Sequence, residues 1–292
     1  MTAKSPGQKF GAHLSVAGGL HFAFDGAVDV GCDCLQIFVK NQRQWAARPL
    51  TDEQVRLFKE AQSRTGVRPV VAHASYLLNL ASPDSANRKK SICALIDELK
   101  RCEALGVGGL VIHPGAHMGD GIEAGIKRIA SSLDEVHTAT RGFTCRILLE
   151  TTAGQGSTIG HEAAQLGQII DQTELPERIG ICLDTCHVFA AGYDIRRNDD
   201  YERLTDELSR FVGIERVACI HTNDSKGDCG SRLDRHDHIT KGKIGKIGFA
   251  NILNDPRLAT VPRILETPKG VDGRGTSLDR VNINRMKKLV RS

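Results

Sequence analysis

Short apolar runs alternate with amphipathic segments along the whole chain. The runs are four to six residues long and rich in Val, Ile and Leu, a pattern typical of strands buried on both faces in a parallel sheet. Eight runs fit this description: Gly11–Val16, Cys34–Val39, Pro69–Ala74, Gly109–His113, Arg146–Glu150, Ile179–Asp184, Val217–His221 and Arg263–Glu266.

The segments between these runs repeat apolar residues with the helical period. Val55, Phe58 and Ala61 fall on one face of such a segment, and Thr51 with Gln54 forms a capping-box pattern at its start. The predicted helices are Asp52–Thr65, Ser85–Ala104, Ile122–Thr138, His161–Ile170, Tyr201–Phe211 and Phe249–Leu253.

Eight strand–helix units in 292 residues predict a single α/β domain with the (β/α)₈ TIM-barrel fold. No linker divides the chain, so the domain should span residues 1–292, with short tails at residues 1–9 and about 287–292. A doubly wound open sheet is the competing fold. It would require a glycine-rich phosphate loop after the first strand, where the chain offers only Gly18 and Gly19.

Composition limits the partners, the cellular compartment and the cysteine chemistry expected of this domain. The net charge of +4 permits a polyanionic partner without requiring one, and 4% aromatic residues argue against an extended base-stacking platform. We find no secretory leader and no apolar stretch near the ~20 residues of a membrane span, which predicts a cytoplasmic protein, or a nuclear one in a eukaryote. The nine cysteines are therefore expected to be free thiols, without a thiolate zinc site.

Six consecutive strand-like runs, the third to the eighth, end in a side chain that can bind a metal. These residues are His73, His113, Glu150, Asp184, His221 and Glu266. Barrel enzymes build their sites where these strand ends converge, so the six should form one cluster. Charges buried so close together cost several kcal/mol each unless they are compensated, and bound cations would compensate them.

Three more candidate ligands follow the sixth and seventh strands. His187 should project from the loop after Asp184, and Asp234 and His236 share one face of an extended segment, with His238 as an alternative ligand. Nine ligands exceed what one zinc ion takes and suit three ions with a bridging carboxylate. With three divalent ions the five imidazoles and four carboxylates leave a formal charge of +2. A hydroxide and a phosphodiester would neutralise that charge, which favours phosphodiester hydrolysis.

Longer strings around these residues resemble the endonuclease IV family of abasic-site DNA repair enzymes, from Gly11 to about Gly270. The matching strings are GAHLSVAGGL, KNQRQW, AHASYLLNLAS, HPGAH, ETTAGQGSTIG, LDTCHVFAAGYDI, HTNDSKGDCGSRLDRHDHI and LETP. The resemblance implies a TIM barrel with three Zn²⁺ ions that cleaves the phosphodiester 5′ to an abasic site in double-stranded DNA. The products would carry a 3′-hydroxyl, and blocked 3′ ends would also be trimmed.

The resemblance also assigns the ligands and the catalytic residue. It implies one ion on His73, His113 and Glu150. A second ion would share Glu150 and be held by Asp184, His221 and Glu266, and a third by His187, Asp234 and His236. Glu150 would position the attacking hydroxide, and Mn²⁺ could replace Zn²⁺ at the third site, which lacks a thiolate. The chain departs from the family pattern at Thr151, where Asn is expected, and at Thr240, where Gly is expected.

DNA contacts are expected on the same face of the barrel. The family inserts residues into the duplex at positions matching Arg43, Tyr76 and Leu77, and a site that has lost its base costs least to unstack. Nearby basic residues that could neutralise phosphates are Lys40, Lys226, Arg232, Arg235, Lys241 and Lys243. The resemblance further implies a monomer.

Two other functions share part of this pattern. A metal-dependent sugar isomerase or epimerase on the same barrel would use strand-end His, Asp and Glu ligands but would leave the Asp234/His236 string unexplained. A DNA-binding protein with a structural metal would bind a lesion without cutting it.

Overall fold

A computed structural model describes residues 7–291 and shows a closed barrel of eight parallel strands within that range. The strands are β1 (Phe10–His13), β2 (Cys34–Phe38), β3 (Val70–His73), β4 (Gly109–Ile112), β5 (Arg146–Glu150), β6 (Ile179–Asp184), β7 (Val217–His221) and β10 (Arg263–Leu265). Around the barrel the strand order is β1-β10-β7-β6-β5-β4-β3-β2. The predicted TIM barrel is confirmed, and the open-sheet alternative is wrong.

Nine α-helices accompany these strands within residues 7–291, none of them both long enough and apolar enough to cross a membrane. They are α1 (Phe22–Val30), α2 (Asp52–Thr65), α3 (Ser85–Leu105), α4 (Ile122–Ala139), α5 (Ala163–Asp171), α6 (Thr185–Ala191), α7 (Asn198–Phe211), α8 (Gly245–Leu253) and α9 (Leu278–Leu289). All six predicted helices are present, whereas α1, α6 and α9 were not predicted.

The predicted terminal tails agree only in part with the structure. Helix α9 runs to Leu289, so it extends past residue 287, where the C-terminal tail was expected to begin. The first six residues of the predicted N-terminal tail lie outside the described residues.

The core has two parts, and the smaller one fills the barrel. Its side chains come from alternate positions of neighbouring strands and are Cys34, Val71, Val111, Leu148, Cys182, Cys219 and Ile264. The larger part packs the outer face of the barrel against the helices. Because successive side chains on a strand alternate in direction, residues two positions further along face the barrel mouth above this layer. Asp184 and His221, paired in register, lie directly above Cys182 and Cys219.

A small antiparallel hairpin lies beyond the end of β7. Asp224–Ser225 (β8) pairs with His236–Asp237 (β9), and the backbone N–H of Lys226 donates to the carbonyl of Arg235 at 2.9 Å. The hairpin brings the segment containing Asp234 and His236 back to the strand ends, a return that the sequence did not predict.

Thr240 has a left-handed backbone with φ +64°. A β-branched residue is strained there by about 1 kcal/mol or more, which gives the glycine expected at this position a physical reason. We expect Thr240→Gly to raise the free energy of unfolding by about 1 kcal/mol, measured by urea denaturation. Thr240→Ala retains a Cβ and should bring little of this gain. Equal stabilisation by both variants would rule out the backbone explanation.

Candidate metal centre

Six strand ends bring the predicted ligands to one face of the barrel. Four of these residues are the last residues of their strands, and two follow directly after β4 and β10. They are His73, Glu150, Asp184 and His221 in the first set, and His113 and Glu266 in the second. The first four are buried, whereas His113 keeps 34% of its side chain exposed. The cluster is therefore deep in the barrel but open to solvent on one side.

The first ligand group is His73, His113 and Glu150, whose ligand atoms all lie within 4.8 Å of one another. The Nε2 atoms of both imidazoles are 3.2 Å from the same oxygen, Oε2 of Glu150. One ion coordinated by both imidazoles and this oxygen would satisfy all three atoms.

The second group shares Glu150 with the first. Glu150, Asp184, His221 and Glu266 again have ligand atoms within 4.8 Å of one another. His221 Nδ1 lies 2.8 Å from Glu150 Oε1 and 3.1 Å from Glu266 Oε2. The two oxygens of Glu150 thus face different groups, which is the arrangement of a bridging carboxylate.

The third group is His187, Asp234 and His236. Asp234 Oδ1 lies 3.2 Å from His187 Nε2 and 3.3 Å from His236 Nε2. The prediction that His187 projects from a loop is wrong, because α6 begins directly after β6 and contains it. The carboxylate of Asp184 accepts a hydrogen bond from the His187 backbone N–H at 2.9 Å and so caps this short helix.

The orientation of the imidazoles tests whether this donor set fits metal ions. Nδ1–H of His73 donates to the Ala74 carbonyl at 2.7 Å, and Nδ1–H of His187 donates to the Thr151 carbonyl at 2.8 Å. Such bonds leave the Nε2 lone pair pointing into the cluster, the form in which imidazole binds metals. Nε2 of His187 and of His236 are buried and make no hydrogen bond within the described residues. The residues present therefore fit a metal centre.

The charges of the cluster lead to the same conclusion. Burial lowers the pKa of His187, but Asp184, Asp234 and Glu150 outweigh it and raise that pKa to about 10. Although burial opposes it, His221 and His113 hold the pKa of Glu150 well below its usual range. Ionised carboxylates at this depth attract positive charge, which protons or bound cations can supply.

Three polar residues that were not predicted as ligands contact the ligand side chains; Asn223 and Gln36 are buried, and His13 is partly buried. Asn223 Nδ2 donates to Asp184 Oδ2 at 2.7 Å, and Asn223 Oδ1 accepts from the Glu266 backbone N–H at 2.8 Å. His13 ends β1, Gln36 lies in the middle of β2, and the two residues pair in register. The available signal was weaker than for the ligands, because His13 and Gln36 are polar residues inside predicted apolar runs rather than at their ends.

The structure shows the contacts of two residues whose roles the sequence did not decide. Thr151 accepts a hydrogen bond from the Asp184 backbone N–H through its hydroxyl at 2.9 Å, so this departure from the family pattern still supports a ligand. His238 Nδ1 accepts from Asn282 Nδ2 of α9 at 3.0 Å and belongs to none of the ligand groups of the described residues.

Two thiols lie beneath the centre. Cys182 and Cys219 are fully buried and come within 4.8 Å of His221, which makes them a further group of potential ligands. His221 Nδ1 already faces Glu150, and its Nε2 is bonded to Gln36, so neither imidazole nitrogen is free for the thiols.

The loops after β2 and β3 flank the opening of the cluster. Arg43 and Tyr76 are exposed, Tyr76 by 62%, and Leu77 is partly buried. The Tyr76 ring lies 5.2 Å from the His73 ring, so it borders the candidate metal centre. Five of the six basic residues considered for phosphate contacts are exposed. Lys40 is buried and paired with Glu98 at 3.2 Å, so the expectation of a phosphate contact there is wrong.

Comparison with known proteins gives a consistent result. The family model described as "Xylose isomerase-like TIM barrel" matches residues 24–285. The "Probable endonuclease 4" of Chloroflexus aggregans is 49% identical over 283 residues, which cover 97% of this chain and 98% of the relative. The crystal structure of endonuclease IV from Thermus thermophilus superposes with a TM-score of 0.83 at 36% identity, covering 96% and 98% of the two chains. A D-tagatose 3-epimerase-like protein, at 18% identity and a TM-score of 0.72, shares the fold.

Proposed function

The chain belongs to the endonuclease IV family of hydrolytic abasic-site endonucleases, and from this membership we propose that it is a zinc-dependent DNA repair enzyme. It cleaves the phosphodiester on the 5′ side of an abasic site in double-stranded DNA, leaves a 3′-hydroxyl and also trims blocked 3′ ends. The observation that carries the proposal is the contiguity of the three ligand groups, two of which share Glu150.

Each ligand group has a defined part in this proposal. His73, His113 and Glu150 hold one ion, and Glu150 shares a second with Asp184, His221 and Glu266. The third ion is held by His187, Asp234 and His236, where Mn²⁺ can replace Zn²⁺ because the donors are imidazole and carboxylate. When bound, such ions stabilise developing charge on phosphate oxygens and lower the pKa of water. Glu150, between the first two groups, holds and orients the attacking water molecule.

The opening of the cluster suits an extrahelical sugar-phosphate. Arg43, Tyr76 and Leu77 stand beside it on two neighbouring loops and act as wedges in the duplex. The exposed basic residues of the β8–β9 hairpin and of the loop that follows it, among them Arg232 and Lys241, neutralise flanking phosphates. A site without a base is the cheapest to open, so the wedges favour the lesion over intact DNA.

Incision of a defined duplex tests the proposal. The zinc-loaded protein is incubated with a 5′-labelled duplex that contains one tetrahydrofuran abasic analogue, beside the same duplex without it. We expect one cut at the 5′ side of the analogue and a product that a DNA polymerase extends, which identifies the 3′-hydroxyl. Binding without incision would favour a DNA-binding protein. Turnover of a ketose without incision would favour the epimerase alternative.

Metal content tests the ligand assignment separately. We expect about three ions per chain by elemental analysis. Asp234→Ala with His236→Ala should lower this to about two, because only the third group is removed. A stoichiometry near one in the unaltered protein would contradict the trinuclear centre.

Tyr76 provides a test of the wedge. Because Tyr76 is 62% exposed, Tyr76→Ala should leave stability almost unchanged. Losing one stacking ring should weaken binding of the abasic duplex about 10-fold, measured by fluorescence anisotropy. Tyr76→Phe keeps the ring and is the matched control. Equal weakening by both variants would show that the hydroxyl, not stacking, matters.

The wider setting is part of the same proposal. We propose that residues 1–292 act as one domain and as a monomer, since all three ligand groups come from a single chain. The activity belongs where chromosomal DNA lies: the cytoplasm with its nucleoid, or the nucleus if the source is eukaryotic.

A further inference from the structure

Gln36 is a fully buried amide at the mouth of the barrel, and all of its polar atoms are bonded. Its Nε2 donates to Glu266 Oε1 at 2.6 Å and to His13 Nδ1 at 2.9 Å. Its Oε1 accepts from His221 Nε2 at 2.7 Å. One side chain thus bridges two ligands of the second group, although Gln36 is not itself a member of that group.

These partners allow only one orientation of the amide. A carboxylate oxygen only accepts hydrogen bonds, so the –NH₂ end of Gln36 must face Glu266. The carbonyl end then faces His221, and His221 Nε2 must carry the hydrogen. In a neutral imidazole this leaves the lone pair on Nδ1, the nitrogen that lies 2.8 Å from Glu150 Oε1 and 3.1 Å from Glu266 Oε2.

We infer that Gln36 is a positioning residue that fixes the His221 tautomer and the direction of Glu266 for the ion held with Asp184. This role rests on the proposed function for the identity of the ion, but the orientation of His221 follows from the protein alone. Partners of this kind raise the basicity of ligands and fix their geometry, and their loss commonly weakens metal binding 10- to 100-fold.

His13 supports the amide from the other side. Its Nδ1 accepts the second hydrogen of Gln36 Nε2, and its ring packs on Phe38 with centroids 4.3 Å apart. The amide is therefore held by residues from β1, β2, β7 and the end of β10. A residue that served packing alone would need none of these polar contacts, and methionine would fill the same space.

Gln36→Met is the variant that separates positioning from packing. We expect it to lose one of the three ions about 10- to 100-fold more readily in chelator competition, with the other two held as in the unaltered protein. In parallel kcat for the abasic duplex should fall while KM changes little, because the DNA-binding loops are untouched. Gln165→Met is the matched control, since Gln165 is a buried amide that accepts from the Gly160 backbone N–H at 2.7 Å and contacts none of the proposed ligands.

Nitrogen-15 NMR of the imidazoles gives a reading that does not depend on a variant's folding. In the unaltered zinc-loaded protein we expect His221 to be protonated at Nε2 and unprotonated at Nδ1. The opposite tautomer would overturn the proposal. So would chelator affinities in Gln36→Met equal to those of the unaltered protein, or an equal loss in Gln165→Met. If the unaltered protein held no ions, the proposed function would fail, whereas a fully loaded protein with the opposite His221 tautomer would overturn the role of Gln36 alone.

Discussion

Glu150→Gln is expected to reduce incision of an abasic duplex about 10³-fold while leaving the barrel folded. Glu150 is fully buried, and its two oxygens face different ligand groups, at 3.2 Å from His73 and 2.8 Å from His221. The amide removes one negative charge from both groups and turns an –NH₂ toward imidazoles or ions. Losing a group that orients and activates the nucleophile costs roughly 10²- to 10⁴-fold in rate, or about 3–5 kcal/mol in the barrier.

The measurement is single-turnover cleavage of the labelled abasic duplex at saturating enzyme. Glu150→Asp keeps the charge and shortens the reach, so it should retain more activity than the amide variant. Thermal unfolding and metal content of both variants separate chemistry from misfolding. Incision by Glu150→Gln at the rate of the unaltered protein, with its ions bound, would remove Glu150 from the proposed catalytic role.

The order of elements was predictable because barrel strands are short apolar runs with polar termini. The bounds of β5, β6 and β7 and of α2 match the prediction residue for residue. Three helices were not predicted, each because of a local feature of its sequence. Helix α1 is apolar on several sides and contains Gly26, α6 has only seven residues, and α9 runs into the segment that was assigned to the C-terminal tail.

The proposed metal ligands could be predicted from the sequence, whereas the residues that hydrogen-bond to them could not. Strand ends in a closed barrel converge whatever their spacing in the chain, so six polar termini were enough to place a cluster. The partners of those ligands depend on register and rotamer. The pairing of His13 with Gln36 and the two bonds of Asn223 appear only when β1, β2 and β7 are set side by side. For the same reason Lys40 was misjudged, since its charge suggests a surface and its partner lies far along the chain on α3.

Lys40 and Glu98 form a buried ion pair that joins the two loops proposed to enter the duplex. Lys40 Nζ lies 3.2 Å from Glu98 Oε1 and donates to the Trp45 carbonyl at 3.1 Å. The Ser75 backbone N–H donates to Glu98 Oε2 at 3.2 Å, and the Ser75 hydroxyl donates to the Gln42 carbonyl at 2.6 Å. The pair and Ser75 thus hold the segment with Arg43 against the segment with Tyr76. The side chains of Lys40 and Glu98 are only 1% exposed, so water cannot solvate either charge when its partner is removed.

Lys40→Met should therefore destabilise the protein by about 3–5 kcal/mol, because it leaves the Glu98 carboxylate buried without its cation. Adding Glu98→Gln removes that charge and should recover much of the loss, while Glu60→Gln, at an exposed position, is the control. Urea denaturation measures the free energy of unfolding of each variant. Fluorescence anisotropy measures its affinity for the abasic duplex, which depends on the two loops. We expect the double variant to regain stability but to bind the duplex more weakly than the unaltered protein, since the Trp45 carbonyl has lost its donor. A double variant no more stable than Lys40→Met would show that lost packing, not the unpaired charge, sets the cost.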